Sequence, residues 1–281
     1  MATAAMPILT AQARLAGVIG WPVSHSRSPL LHNRWLERYG IDGAYVPLPV
    51  RPGMLPTAVH GLRAAGFAGV NVTLPHKPEA AMLCDELMPS ARLTGAVNTL
   101  VFGDAIVGHN TDGAGFVAHL RASGVDPAAG PALLLGAGGA ARAIAAALLA
   151  EGAAVTVSNR NPERAASLAA ALPPLRTAPW DQREAALADT ALLVNTTSLG
   201  MAGQPPLPMR LDRAGPGLVV ADIVYVPLET ALLAVARARG LRTVDGLGML
   251  LHQAGAGFAA WFGRTPEVDA EVRDLLVASL A

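Results

Sequence analysis

The chain has 281 residues, of which 52% are hydrophobic, and its 21 basic side chains balance 21 acidic ones. This length allows one large domain or two medium ones. A formal net charge of zero provides no general field to attract nucleic acid or an anionic membrane, so neither partner is expected. Arg142 and Glu151 bracket the longest apolar stretch, and no transmembrane helix is predicted.

The cysteine content points to a reducing compartment. Cys84 is the single cysteine and cannot form an internal disulfide, and the first 20 residues lack a basic cluster followed by a sustained apolar core. We therefore expect a cytoplasmic protein. No His and Cys cluster has metal-ligand spacing, so no metal is predicted.

The first 110 residues alternate strand and helix patterns. Strands are predicted at 15–20, 44–50 and 69–74, and helices at 29–39, 54–65 and 78–87. Residues 97–102 and 105–109 flank a Gly-Asp turn and are typical of a hairpin, which we expect at the edge of the sheet. Because strands alternate with helices, the sheet is expected to be mostly parallel.

A glycine-rich turn, Gly136-Ala137-Gly138-Gly139-Ala140-Ala141, lies near the middle of the chain. It joins a predicted strand at 132–135 to a predicted helix at 140–150, the order found in dinucleotide-binding folds. Gly136 permits the tight turn, Gly138 lets a pyrophosphate approach the backbone, and the helix N-terminus faces the phosphates. A plain packing turn between a strand and a helix would have the same pattern, so the turn alone leaves both interpretations open.

The segment after the next predicted strand, 154–158, favours NADP over NAD. An NAD-binding protein would place an acid there for the ribose hydroxyl, but the chain has Asn159, Arg160 and Asn161, with Arg164 one helical turn later. Two guanidiniums can bind a 2′-phosphate through forked hydrogen bonds. The alternative is a solvated helix start, although cations at that end oppose the helix dipole.

The rest of the chain completes a two-domain prediction. Further strands are predicted at 191–195, 218–225 and 241–244, followed by helices at 247–262 and 266–280. The predicted fold is α/β, with an N-terminal substrate domain built on a mostly parallel sheet and a Rossmann-type NADP domain. We expect the C-terminal helices to return to the first domain, so that residues 1–112 with 248–281 form the substrate domain and 113–247 the NADP domain.

Three polar clusters follow strand ends in the first domain, where ligands bind in open parallel sheets. They are residues 24–29, 71–77 and 110–113. Ser28, before Pro29, and Asp112, before Gly113, are also good helix N-caps, and capping alone would explain both.

Lys77 is not explained by capping. It immediately precedes Pro78 at the predicted start of a helix, where a cation is disfavoured. A residue that departs from the charge preference of a helix start, with no evident gain in stability, suggests a functional role. The alternative is a flexible surface lysine. One amine and one acid such as Asp112, facing a substrate oxygen, suffice for alcohol-to-ketone chemistry beside a nicotinamide.

A series of motifs follows one order along most of the chain. They are His25-Ser26-Arg27-Ser28-Pro29, Asn71-Val72-Thr73-Leu74-Pro75-His76-Lys77, Gly95-Ala96-Val97-Asn98-Thr99, Asn110-Thr111-Asp112-Gly113, Gly136 to Ala141, Asn159-Arg160, Asn195-Thr196-Thr197-Ser198-Leu199-Gly200-Met201, Asp245-Gly246-Leu247-Gly248-Met249 and Gln253. This series resembles the bacterial shikimate dehydrogenase family from Val18 to Phe262.

The resemblance implies NADP-linked interconversion of 3-dehydroshikimate and shikimate, a step in aromatic amino acid biosynthesis. It assigns binding of the substrate carboxylate to Ser26 and Ser28, with Tyr225 beside them, and binding of the ring hydroxyls to Thr73, Asn98, Asp112 and Gln253. Lys77 and Asp112 are the implied catalytic pair, with Lys77 exchanging the proton at the C3 oxygen either as a base or as a stabiliser of alkoxide charge.

The resemblance also implies a set of cofactor-binding residues. It assigns binding of the pyrophosphate to Gly136, Ala137, Gly138, Gly139 and Ala140. It assigns the 2′-phosphate region to Asn159, Arg160, Asn161 and Arg164, and the nicotinamide side to Ile223, Gly246 and Met249. Core packing is the alternative for Ile223 and Met249.

Three questions stay open at this stage. His76 stands where the family often has phenylalanine, and we interpret it as a wall residue over a catalytic one. The nearest alternative is a quinate/shikimate dehydrogenase that uses NAD, and a non-enzyme alternative is an NADP sensor of the same fold. The family contains monomers and dimers, so the sequence leaves open whether this protein forms a homodimer.

Overall fold

The computed structural model describes residues 9–280, which form two compact units. One unit contains residues 9–111 together with Ala254–Ser279, and the other contains Asp112–Gln253. Each unit is built on a six-stranded sheet. The two-domain α/β fold predicted from the sequence is therefore confirmed, including the return of the C-terminal helices to the first unit.

The first unit contains a mostly parallel sheet. Its strands are β1 Arg14–Gly20, β2 Gly43–Pro49, β3 Gly69–Val72, β4 Glu86–Leu87, β5 Thr99–Phe102 and β6 Ile106–His109. They lie in the order β2-β1-β3-β5-β6-β4, with β5 antiparallel to both of its neighbours. The helices before residue 112 are α1 Ser28–Tyr39, α2 Leu55–Ala64, α3 Lys77–Met82 and α4 Pro89–Thr94.

The second unit contains a fully parallel sheet. Its strands are β7 Ala132–Leu135, β8 Val155–Ser158, β9 Arg176–Ala178, β10 Leu192–Asn195, β11 Val219–Asp222 and β12 Arg242–Val244. The order β12-β11-β10-β7-β8-β9 is that of a doubly wound dinucleotide fold, with β7 at the centre. The helices that begin in this unit are α5 Asp112–Ala122, α6 Gly139–Ala150, α7 Pro162–Ala171, α8 Ala231–Ala238 and α9 Gly246–Phe262, with 3₁₀ turns at Trp180–Gln182 and Ala185–Asp189. All four β7 residues are buried, and α6 buries its small Ala141, Ala143 and Ala145.

The last helix, α10 Ala270–Ala278, packs within the first unit against α1. The indole nitrogen of Trp35 donates to the Glu267 carbonyl at 3.1 Å, and that of Trp261 donates to the Leu100 carbonyl at 3.0 Å. The Arg38 guanidinium bonds the Asp269 carboxylate at 2.8 Å. These contacts attach the C-terminal segment to the unit that begins the chain.

The segment after Lys77 differs from the sequence prediction. The helix predicted at 78–87 ends at Met82, and Glu86–Leu87 instead pairs with β6 and forms the sheet edge expected for the hairpin. Asp85 causes the change, because its backbone N–H donates to the Ile106 carbonyl at 2.9 Å and its carboxylate accepts from the Ile106 N–H at 2.7 Å. Pairing across the sheet thus overrides the local helical pattern.

The strand predicted at 218–225 is also shorter than expected. It ends at Asp222, whose carboxylate accepts the backbone N–H of Val224 at 3.0 Å and so turns the chain.

Candidate active site

The polar segments that follow β1 and β3 lie side by side in the first unit. The backbone N–H of Thr73 donates to the Ile19 carbonyl at 2.9 Å. A Cβ on Gly20 would lie 2.5 Å from Cγ2 of Thr73, so the absence of a side chain there permits the close approach. Thr73 therefore shares one sheet edge with the segment that leads to Ser26 and Ser28.

Ser26 and Ser28 have different roles at the start of α1. The hydroxyl of Ser26 accepts the backbone N–H of Ser28 at 3.3 Å. Helix α1 begins at Ser28, so the capping role considered for Ser28 is wrong and Ser26 satisfies that N–H instead. Burial raises the pKa of the Tyr45 phenol on β2, and the buried Ser28 side chain beside it opposes that rise.

Asn98 lies at the same edge, just before β5. Its carbonyl accepts the Val72 N–H at 2.8 Å, its Nδ2 donates to Oγ1 of Thr111 at 2.9 Å, and its Oδ1 accepts the Thr111 N–H at 2.9 Å. The Lys77 carbonyl accepts the N–H of the preceding residue, Val97, at 2.9 Å. The structure therefore gathers Thr73, Lys77 and Asn98 around the ends of two adjacent strands.

Lys77 is the first residue of α3 and is half-buried. It is the only lysine in the sequence, in which every other residue of the Lys and Arg class is an arginine. Arginine cannot lose its proton near neutral pH, whereas an ammonium can. The one position with a lysine is thus the position where the sequence pattern indicates proton exchange.

His76 anchors the start of α3. Its side chain is buried, and Nε2 lies 2.8 Å from the Val50 carbonyl, to which it donates, while Nδ1 lies 3.8 Å from the Glu79 carboxylate. These contacts support the interpretation of His76 as a wall residue beside Lys77.

In the second unit, glycines bring α5 close to its neighbours. Asp112 is the buried first residue of α5. A Cβ on Gly113 would lie 2.3 Å from the Ala143 carbonyl oxygen of α6, and one on Gly115 would lie 2.5 Å from Cβ of Gln253 on α9. Asp112 and Gln253 consequently lie on helices packed at backbone distance.

In the glycine-rich turn, Gly136 has no room for a side chain, whereas Gly138 and Gly139 do. Gly136 has φ of +113°, and a Cβ there would lie 2.7 Å from Oγ1 of Thr196. A Cβ on Gly138 or Gly139 would meet nothing within 4 Å, and no described side chain caps α6 at Gly138. The uncapped amides and open backbone fit a pyrophosphate. Ala137 and Ala140 flank these glycines and are half-buried.

The segment from Asn159 to Arg164 shows how the two arginines are presented. Asn161 is the N-cap of α7, since its Oδ1 accepts the Arg164 N–H at 3.0 Å, and Nδ2 of Asn159 donates to the Asn161 carbonyl at 2.8 Å. Arg160 and Arg164 are exposed, and no carboxylate within residues 9–280 forms an ion pair with either. Their charges fit a phosphate ligand, while the side-chain oxygen of Asn161 is engaged in capping.

The residues assigned to the nicotinamide side meet at the end of β11. A Cβ on Gly246 would lie 2.3 Å from the Ile223 carbonyl oxygen, so the two backbones touch. Met249 is 9% exposed and belongs with Ile223 to the apolar core of this unit, which supports core packing as one of their roles. Tyr225 follows three residues after β11 and is half-buried.

Asp222, which ends β11, was not singled out from the sequence. Its carboxylate accepts from Nδ2 of Asn195 at 3.0 Å and from Oγ1 of Thr230 at 2.8 Å, in addition to the Val224 N–H. Burial raises the pKa of Asp222, and the three donors oppose that rise. Asn195 belongs to a motif quoted above, but nothing local marks Asp222 as its partner.

Residues 9–280 contain neither a candidate metal site nor a candidate membrane span. No group of three or more His, Cys, Asp or Glu side chains within residues 9–280 could hold a metal ion. None of the helices in that range is long and apolar enough to cross a membrane.

Comparison with known proteins assigns the family. Residues 18–100 match the family described as shikimate dehydrogenase substrate binding domain, and residues 121–200 match the family described as shikimate / quinate 5-dehydrogenase. The chain is 64% identical over 274 residues to a curated NADP(+) shikimate dehydrogenase of Acidiphilium cryptum, covering 97% of this chain and 99% of the relative. The chain belongs to the shikimate dehydrogenase family.

Other members of the shikimate dehydrogenase family agree in sequence and fold. The NADP(+) shikimate dehydrogenase of Gluconobacter oxydans is 56% identical over 95% of this chain and 96% of its own length. The crystal structure of the Thermus thermophilus enzyme in complex with NADP(H) and shikimate is 37% identical, with a TM-score of 0.87, and the match covers 95% of this chain and 100% of that one. The family predicted from the motifs is confirmed.

Proposed function

We propose that this chain interconverts 3-dehydroshikimate and shikimate by NADP-linked hydride transfer, within aromatic amino acid biosynthesis. The observation that carries the proposal is the arrangement of Thr73, Lys77 and Asn98 at one sheet edge, in a chain whose relatives are named NADP(+) shikimate dehydrogenases. A hydroxyl, an amine and an amide suit a small polyhydroxylated acid, because each supplies a directed hydrogen bond.

The substrate residues divide by chemistry. Ser26 and Ser28, with Tyr225, bind the carboxylate through hydroxyl donors. Thr73, Asn98, Asp112 and Gln253 bind the ring hydroxyls. Thr73 and Asn98 belong to the first unit, and Asp112, Tyr225 and Gln253 belong to the second.

Lys77 exchanges the proton of the C3 hydroxyl. In the oxidative direction the amine accepts the proton as the C3 hydrogen leaves as hydride; in the reverse direction the ammonium donates it to the developing alkoxide. Asp112 is the second residue of the catalytic pair, and its carboxylate orients the reacting hydroxyl. NADP(H), when held by the glycine-rich turn and by Arg160 and Arg164, would supply the hydride chemistry.

The cofactor residues act through backbone and charge. Gly136, Ala137, Gly138, Gly139 and Ala140 receive the pyrophosphate at the open start of α6. Asn159 and Asn161 shape the segment in which Arg160 and Arg164 bind the 2′-phosphate. Ile223, Gly246 and Met249 form the nicotinamide side.

The decisive assay mixes the protein with shikimate or quinate and with NADP or NAD, and follows the reduced nicotinamide. We expect turnover with shikimate and NADP. A preference for quinate and NAD would favour the quinate-type alternative, and an absence of turnover with every pair, while NADP still binds, would favour the sensor.

Substitution of Lys77 tests its role. Lys77→Ala should lower turnover by about 10²- to 10⁴-fold, while NADP affinity survives. Lys77→Arg retains the positive charge but cannot exchange a proton, so it separates a base from an alkoxide stabiliser. If Lys77→Ala loses NADP binding or folding together with activity, Lys77 is structural and the assigned role is wrong.

The proposal also includes a cytoplasmic location and assembly as a homodimer. A biosynthetic oxidoreductase that uses NADPH is suited to the compartment that holds the reduced cofactor. Light scattering on the purified protein distinguishes a homodimer from a monomer.

A further inference from the structure

Tyr45 carries a polar group into the interior of the first unit without a role in the proposed chemistry. Its side chain is 1% exposed, on β2. The phenol hydroxyl donates to Oδ1 of Asn71 at 2.6 Å. This buried hydrogen bond joins β2 to β3.

A chain of hydrogen bonds continues from Asn71 to the edge of the sheet. Nδ2 of Asn71 donates to Oγ1 of Thr99 at 3.0 Å, and the Thr99 hydroxyl donates to Oδ1 of Asn98 at 3.1 Å. All of these side chains are buried. The connection runs without a break from Tyr45 to Asn98, which is assigned to a ring hydroxyl.

The direction of this chain is set at Asn71. Nδ2 of Asn71 also donates to the Asn98 backbone carbonyl at 3.1 Å, and a carbonyl can only accept, so the amide oxygen of Asn71 faces Tyr45 and the phenol must donate to it. The Thr99 hydroxyl accepts from Asn71 and donates onward to Asn98. Reversal of the Asn71 amide would place its oxygen against the Asn98 carbonyl oxygen, two acceptors in a buried site, which is costly.

The ring of Tyr45 is itself held on several sides. His32 stacks on it with centroids 4.0 Å apart, and the ring of Trp261 lies 5.9 Å away at 41°. The Asn33 side chain donates to the Tyr45 carbonyl at 2.8 Å and accepts its N–H at 3.0 Å. The phenol therefore has a fixed position from which to bond Asn71.

We infer that Tyr45 is a positioning residue for substrate recognition, which acts on Asn98 through Asn71 and Thr99. It does not touch the substrate; together with Thr111, which bonds both polar atoms of the Asn98 amide, it holds the side chain that does. The inference rests on the proposed function. Preorganised polar groups bind more tightly because their ordering cost is met before the ligand arrives.

Tyr45→Phe tests this role, since it removes the hydroxyl and keeps the stacked ring. We expect the KM for shikimate to rise about tenfold, corresponding to roughly one lost buried hydrogen bond, with kcat changed less and the KM for NADP unchanged. Tyr39→Phe is the matched control: its hydroxyl also accepts one hydrogen bond in the first unit, from the Glu267 N–H at 2.9 Å, but lies outside the chain.

Two further variants show whether Tyr45 acts through Asn98. Thr99→Val breaks the chain at a second point with little change of shape, and it should raise the KM for shikimate in the same way. In the Asn98→Ala background, Tyr45→Phe should add much less to the KM than it does alone, because the group it orients is gone.

The outcomes separate the inference from the proposed function. An active wild-type protein in which Tyr45→Phe and Thr99→Val match Tyr39→Phe overturns the inference alone, as does a loss of thermal stability with an unchanged KM for shikimate. If Tyr45→Phe does not fold, Thr99→Val decides by the same KM measurement. A wild-type protein without turnover overturns the proposed function, and the inference with it.

Discussion

The imidazole of His32 lies parallel to the phenol ring of Tyr45, with centroids 4.0 Å apart and an angle of 4° between the planes. Trp35 approaches the same imidazole edge-on at 5.5 Å. Neither ring nitrogen of His32 has a hydrogen-bond partner within residues 9–280. The histidine therefore behaves as an aromatic core residue, and burial lowers its pKa from 6.5 to about 3.

His32 should make the protein sensitive to acid. Above pH 6.5 the imidazole is neutral in the folded and unfolded states, but between pH 6.5 and about 3 only the unfolded state takes up the proton. Stability is thus lost as the pH falls through this window, by up to about 1.4 kcal/mol per pH unit. In His32→Phe, urea unfolding at pH 7.5, 6.0 and 5.0 should show a shallower loss than in the wild type.

The exposed His60 provides the control for this measurement. His60→Gln should retain the wild-type pH dependence. If His32→Phe and the wild type lose stability with the same slope, the imidazole of His32 is not neutral in the folded protein, and the prediction is wrong.

Gly136 and Gly138 should respond differently to alanine. Gly136→Ala forces a side chain into a positive φ and against Thr196, which should destabilise the protein by about 1–3 kcal/mol. Gly138→Ala meets no protein atom, so its melting temperature should stay near that of the wild type while the KM for NADP rises. Gly215→Ala, which also meets nothing within 4 Å, is the control. A Gly138→Ala protein with unchanged NADP affinity would contradict the assignment of the turn to the pyrophosphate.

Arg160 and Arg164 should determine the preference between the two cofactors. Hydrogen bonds to charged groups contribute about 1.5–3 kcal/mol, so loss of either guanidinium should lower kcat/KM with NADP by roughly 10- to 100-fold. The value with NAD should change little, because NAD lacks the 2′-phosphate. Arg213→Ala, another exposed arginine of the second unit, is the control. Equal losses with NADP and NAD would mean that the two arginines do not bind the 2′-phosphate.

Gly248 should be required by the ring of His119. A Cβ on Gly248 would lie 2.0 Å from Nδ1 of His119, whose Nε2 lies 3.0 Å from the Asp245 carbonyl. Gly248→Ala should therefore destabilise the protein by about 1–3 kcal/mol through overpacking. His119→Ala removes the obstructing ring, so the two substitutions together should cost less than their sum. If thermal unfolding shows that the two losses of stability are additive, the contact between Gly248 and the His119 ring is not the cause.

Local signals in the sequence identified most of the architecture. The buried run of β7, the turn at Gly136 and the alanines of α6 follow each other so closely that the dinucleotide fold could be predicted from one segment. The strands β1, β2 and β3 were also located within a few residues, because apolar runs bounded by turns need no distant partner to be recognised.

Elements that depend on distant partners were not predicted. The short strands β4 and β9 have no alternating pattern of their own and form because β6 and β8 offer unpaired edges. The start of α1 was not predicted either. The sequence favours Ser28 as the N-cap because Pro29 follows it, but the helix already includes Ser28, whose N–H donates to the Ser26 hydroxyl.

The sequence by itself determined the family, the fold class and the residue types available for chemistry, including the single lysine at position 77. Those properties are carried by contiguous motifs. Only the tertiary structure decided how the polar groups are oriented: the Tyr45 phenol, the Asn71 amide and the Thr99 hydroxyl come from three different strands. A hydrogen bond requires its two atoms to lie within about 3 Å in a defined direction, and no spacing along the chain determines that between residues brought together by folding.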